Sequence, residues 1–86
     1  MVPTAWPDWW EWELELTSHV ERRMAERDLT EIELHAMLVA PTGFAPDLVN
    51  GRFRVYTWCW GRRWNVVVEP DADDRLLVVI AAFRVE

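Results

Sequence analysis

His19, Arg22, Arg23 and Arg27 lie within one short stretch of the chain, Leu16-Thr17-Ser18-His19-Val20-Glu21-Arg22-Arg23-Met24-Ala25-Glu26-Arg27-Asp28-Leu29-Thr30. On a helix of about 3.6 residues per turn, His19, Arg23 and Arg27 occupy adjacent steps of one side, with Val20 and Met24 beside them on the apolar side. Histidine titrates near neutrality and can serve as base or acid. Guanidinium groups grip phosphate through paired, planar contacts. Metal-free RNA cleavage asks for a base at the 2′-hydroxyl, an acid at the leaving oxygen and cations around the crowded phosphate. His19, Arg23 and Arg27 are therefore the candidate catalytic residues. The same spacing also fits a solvated helix face on which Glu26 pairs with Arg22 or Arg23.

A second constellation runs through Arg52, Arg54, Tyr56, Trp58 and Trp60, followed by Arg62, Arg63 and Trp64. Arginines and aromatics on one strand face make a surface for single-stranded RNA. The usual burial of tryptophan favours cross-strand packing of Trp58, Trp60 and Trp64 under the N-terminal segment. Arg22, Arg54 and Arg62 remain as outer RNA contacts. Glu31 and His35 share a helix face near Glu33, but two ligands do not make a metal site. Asp71, Asp73 and Asp74 lack the glycine and distal glutamate of a calcium loop and read as a hairpin loop. No Gly-rich phosphate loop, paired-cysteine zinc motif or nucleophile elbow is present, so neither a cofactor nor a metal is expected. Cys59 falls within a strand, where a packed thiol is expected.

The elements that must position these groups follow from periodicity and punctuation. Trp12, Leu14 and Leu16 alternate with Glu11, Glu13 and Glu15, a half-buried strand. Pro3 and Pro7 break any earlier helix. Ser18 with Glu21 reads as a capping box that opens a helix running to about Arg27. Thr30 with Glu33 is a second box. Its helix carries Ile32, Leu34, Met37 and Leu38 and stops before Pro41. Pro41–Pro46 reads as a loop around Gly43. Asn50-Gly51 is a turn, Arg52–Trp60 a strand, Gly61-Arg62 a turn and Trp64–Glu69 a strand. Pro70–Asp74 reads as a loop. Arg75–Val85 is the last and most apolar strand, expected at the centre of the sheet. The order β-α-α-β-β-β predicts an α+β fold, an antiparallel sheet of about four strands with a helix pair packed on one face.

The 86 residues suffice for one domain, residues 1–86, with an acidic, Trp-rich segment at residues 1–10. That segment, with Asp8-Trp9-Trp10-Glu11-Trp12, is either a partner-binding patch or an extension of the core. No apolar run approaches the length of a membrane span, and the N-terminus lacks a signal-peptide layout. A single cysteine allows no internal disulfide, and a cytoplasmic location is the expectation. The net charge of −6 is uneven: −4 over Met1–Ser18, +1 over His19–Arg63 and −3 over Trp64–Glu86. A general nucleic-acid binder would be basic throughout, which leaves room only for a local basic site. All nine basic residues are arginine, a choice that suits phosphate and that a GC-rich genome also produces.

The run from Leu16 to Glu31 resembles the opening of a small bacterial family, domain of unknown function 4258. There a strand ends in a Thr-x-His-like step, a helix carries Arg-Met and a second Arg, and the next helix begins Thr/Ser-Glu. Trp64-Asn65-Val66-Val67-Val68-Glu69-Pro70-Asp71 and Leu76-Leu77-Val78-Val79-Ile80 extend the likeness, which covers about Trp12 to Val85. That family is similar to RelE-like toxins and to the wider group of metal-free ribonuclease folds. The resemblance implies helices on an antiparallel sheet, RNA as substrate and neutralisation by an antitoxin protein. It carries His19, Arg23 and Arg27 over as functional residues. Relatives often place a Thr or Ser near the position of Ala81, whereas Ile80-Ala81-Ala82 offers no hydroxyl. The alternative is a non-catalytic domain of the same fold that binds a protein partner, or a second copy of itself, through its Trp/Glu surface.

Overall fold

The computed structural model describes residues 7–85. Pro3 and the first six residues of the Trp-rich segment lie outside the described residues. A single 3-10 turn, Asp8–Glu11, leads into strand β1 (Glu13–Leu16). Helices α1 (Ser18–Glu26) and α2 (Glu31–Val39) follow, then strands β2 (Gly43–Pro46), β3 (Phe53–Cys59), β4 (Arg62–Asp71) and β5 (Leu76–Arg84).

The α+β class and the helix pair are as expected, but the sheet has five strands in the order β1-β5-β4-β3-β2. Two features correct the expected four-stranded antiparallel sheet. Gly43–Pro46 is an edge strand, not a loop: it pairs with β3 from Gly43↔Tyr56 to Pro46↔Phe53. Its glycine and proline mimic loop composition, yet proline is compatible with a sheet edge, where its missing N–H costs no ladder bond. The second correction is that β1 runs parallel to β5, from Glu13↔Leu76 to Leu16↔Val79. Alternation marks β1 as a strand but carries no information about which strand it joins. The middle position belongs to β4, with β5 beside it. Pro70 and Asp71 continue β4, so the turn to β5 is confined to residues 72–75.

The helix starts differ in detail. Thr17, not Ser18, caps α1, its Oγ1 accepting the Val20 N–H at 3.1 Å. Two adjacent hydroxyl residues offered the same signal, and with Thr17 as the cap the reciprocal Glu21 contact of a capping box falls out of phase. For α2 the box is complete: Glu33 N–H donates to Thr30 Oγ1 at 3.2 Å, and Thr30 N–H donates to Glu33 Oε1 at 2.9 Å.

Both helices lie on one face of the sheet. Val20 and Met24 of α1 and Leu34, Met37 and Leu38 of α2 pack on Val55, Trp64, Val66, Val68, Leu77, Val79 and Ala82. Fully burying one such aliphatic side chain contributes about 1.5–3 kcal/mol. Ile32, the first apolar residue of α2, stays out of this core and is 82% exposed. Trp9, Trp10 and Trp12 pack against the core, Trp9 meeting Phe53 at 5.0 Å between ring centroids. The described part of the Trp-rich lead therefore extends the core. Thr57 is the one buried polar residue among those described; its hydroxyl donates to the Met37 carbonyl at 2.7 Å and ties β3 to the last turn of α2.

Candidate functional site

Pairing between β1 and β5 ends at Leu16↔Val79, where the chain leaves the sheet at Thr17 and enters α1. Beyond that point α1 lies beside β5. A bulge falls there: Val68 pairs with Val79 and Val67 with Ala81, so Ile80 is an extra residue with no partner in β4. The bulge changes the phase of the strand, which lets Ala82 rather than Ala81 return to the core.

A cleft of about 210 Å³ opens between these two elements, lined by His19, Val20 and Arg23 of α1, by Arg27 at its C-cap and by residues 80–83 of β5. The three candidate catalytic residues thus share one concavity, and it contains no carboxylate. Val20 is buried and holds the helix against the sheet, while His19, Arg23 and Arg27 are exposed. Arg27 Nη1 donates to the Arg23 carbonyl at 3.4 Å, which draws its guanidinium back along the helix toward Arg23. Arg23 Nη1 meets Glu26 Oε1 at 3.4 Å with both side chains about half exposed, a weak and solvent-screened pair. His19 has no hydrogen bond or ion pair among the described residues. The site has an imidazole ring, two guanidiniums and an apolar back wall. The absence of a hydroxyl at Ile80-Ala81-Ala82 makes that wall chemically inert.

The other candidates are dispersed. Arg22 is exposed on α1 and does not line the cleft. Arg62 lines a neighbouring hollow with Trp58, Arg63 and Arg84 at the β3–β4 end. Arg54 is elsewhere, donating from Nη2 to Asp47 Oδ1 at 2.9 Å, and Arg52 donates from Nε to Glu69 Oε1 at 3.0 Å. Both guanidiniums are thereby neutralised. The Arg54 bond holds the Asp47 carboxyl below the usual carboxylate range. Trp64 is buried as expected, but Trp58 and Trp60 are 52% and 55% exposed, which overturns their expected burial, although the Trp60 ring still meets Trp64 edge-on. Trp58 stays in the ladder opposite Arg63 but lies on the face of β3 away from buried Val55 and Thr57, and the hairpin accounts for Trp60. Cys59 pairs with Arg62 across a two-residue turn, and Trp60 occupies its first corner, outside the ladder.

Glu31 and His35 form an i,i+4 pair at 3.8 Å, and no cluster of three metal-binding side chains occurs among the described residues. Cys59 is partly buried, and burial, with a smaller contribution from Glu33, pushes its thiol pKa up. Arg84, at the end of β5 opposite Trp64, escaped the sequence reading. It is exposed at the strand's end, and its place beside Trp64 is set by the β4–β5 register, which no local pattern announces. No helix among the described residues is long and apolar enough to cross a membrane. Comparisons with protein-family models, with curated proteins and with solved structures return no match to this chain.

Proposed function

We propose that this domain is a RelE-like, metal-independent endoribonuclease acting on single-stranded RNA at the α1–β5 cleft. The observation that carries the reading is the convergence of His19, Arg23 and Arg27 on a concavity free of carboxylates. In the proposed reaction Arg23 and Arg27 hold the non-bridging oxygens of one phosphodiester. His19 removes the proton of the adjacent 2′-hydroxyl. The 2′-oxygen bonds to phosphorus, and the bond from phosphorus to the 5′-oxygen breaks. The products are a 2′,3′-cyclic phosphate and a 5′-hydroxyl, the leaving oxygen taking its proton from water. On this reading the protein works in a bacterial cytoplasm and is restrained by an antitoxin protein.

The test is RNA cleavage by the purified chain, in chelator, together with growth on expression. Cleavage and growth arrest that vanish in His19→Ala support the proposal, provided the variant melts where the parent does. Because His19 is exposed, its removal should change stability by no more than about 0.5 kcal/mol. Intact RNA and normal growth with the parent chain would sink the reading.

A further inference from the structure

The cleft beside His19 does not end at Arg27. Arg27 and Phe83 also line a second, larger hollow of about 570 Å³, which passes the end of α1 and reaches the β3–β4 turn. The two differ in chemistry. The first holds Arg23 and Arg27 without a carboxylate. The second sets Arg27 and Arg84 against Glu26 and Asp28, so it is formally neutral, and it adds the indoles of Trp60 and Trp64. An anion site thus adjoins a neutral aromatic site, which is the arrangement a nucleotide requires: one hollow for phosphate, the next for base.

Trp60 is the unusual residue here. It sits at φ 55°, followed by Gly61 at φ 71°, the first corner of a turn that asks for positive φ at both positions. Asparagine or glycine suits that corner, and a bulky side chain there is strained. Trp60 is nevertheless half exposed, braced edge-on against buried Trp64 with ring centroids 6.0 Å apart. A strained, braced and exposed indole on a hollow beside a phosphate site is a stacking platform. Of the two carboxylates, Glu26 makes the weak, solvent-screened contact with Arg23, while Asp28 has no hydrogen bond or ion pair through its side chain among the described residues. A free carboxylate accepts two parallel hydrogen bonds, and guanine is the base whose pairing edge offers two adjacent donors, N1–H and the 2-amino group.

We propose that the second hollow binds one unpaired guanine of the RNA, stacked on Trp60 and selected by Asp28, with Arg84 on a flanking phosphate. This specificity rests on the ribonuclease reading of the first hollow.

The experiment is an NMR titration of the whole chain with inorganic phosphate and with uncleavable 2′-O-methyl dinucleotides GpU, ApU and CpU. Phosphate should perturb His19, Arg23 and Arg27. GpU should bind roughly tenfold more tightly than ApU or CpU and shift the Trp60 indole N–H. Asp28→Asn should bring GpU down to the level of ApU. Trp60→Asn should weaken all three by roughly fivefold or more while the melting temperature holds or rises, since asparagine suits the corner. Equal binding of the three dinucleotides, or full binding by Trp60→Asn, with phosphate still at His19, overturns the guanine site alone. No response of the His19 cleft to phosphate or to any dinucleotide overturns the ribonuclease reading and this inference together.

Discussion

Arg27 and Arg54 are chemically the same and differ in what surrounds them. Arg54 is matched by Asp47 at 2.9 Å, whereas Arg27 reaches only a backbone carbonyl at 3.4 Å and keeps its charge available. The Asp47 pair has a pH signature. Because Arg54 lowers the pKa of the native carboxyl, the pair stabilises the fold above the ordinary aspartate range. That contribution disappears as pH falls through the ordinary value and then the lowered native one. Asp47→Asn should therefore melt below the parent near neutrality, and the two melting curves should converge in acid; a constant gap across that range would refute the assignment. The difference between the two arginines was illegible in the sequence. Spacing placed Arg23 and Arg27 one turn apart on a helix, which local geometry settles, but Asp47 meets Arg54 through the pairing of β2 and β3, a contact no local pattern announces. Trp60 misled for a related reason: tryptophan is usually buried, and the two-residue turn that forces it outward depends on the Cys59↔Arg62 register.

At the level of elements, the helices were the most legible. The Thr30–Glu33 box appears in the structure with both reciprocal bonds. Thr30→Ala removes the acceptor for the Glu33 N–H and should cost about 1 kcal/mol in urea unfolding. Thr57→Val tests a different joint. It keeps the shape of the side chain but strips the Met37 carbonyl of its buried partner, and should lower stability by about 1–3 kcal/mol. A neutral result for Thr57→Val would mean that α2 is held to β3 by apolar packing alone. The strands were half legible. Alternation identified β3, and apolar runs bounded by turn signals identified β4 and β5, but the four residues of β2 are too few, and too rich in glycine and proline, to show a period. The parallel union of β1 with β5 depends on where two intervening helices deliver the chain, a property of packing rather than of either strand's composition.

Across the whole molecule the acidic balance proves to be a matter of place. Glu13, Asp71, Asp73 and Asp74 cluster with Arg75 at the end of the sheet where β5 begins, while Arg27, Arg62, Arg63 and Arg84 outnumber Glu26 and Asp28 where it finishes. A chain with a net charge of −6 can thus carry a cationic end and an anionic end. On the proposed ribonuclease reading, binding of single-stranded RNA should weaken with salt, with a logarithmic slope of about −2, as expected for roughly three phosphate contacts. A flat salt dependence would show that the arginine end is not the docking surface. The joining of the first strand to the last has a consequence in time. The cleft is built from residues 19–27 and 80–83, and β1 has no partner until β5 exists. During synthesis the helix bearing His19 emerges early but faces nothing, because the wall opposite is still untranslated. A fragment ending before β5 carries every proposed catalytic side chain yet no place for them to act.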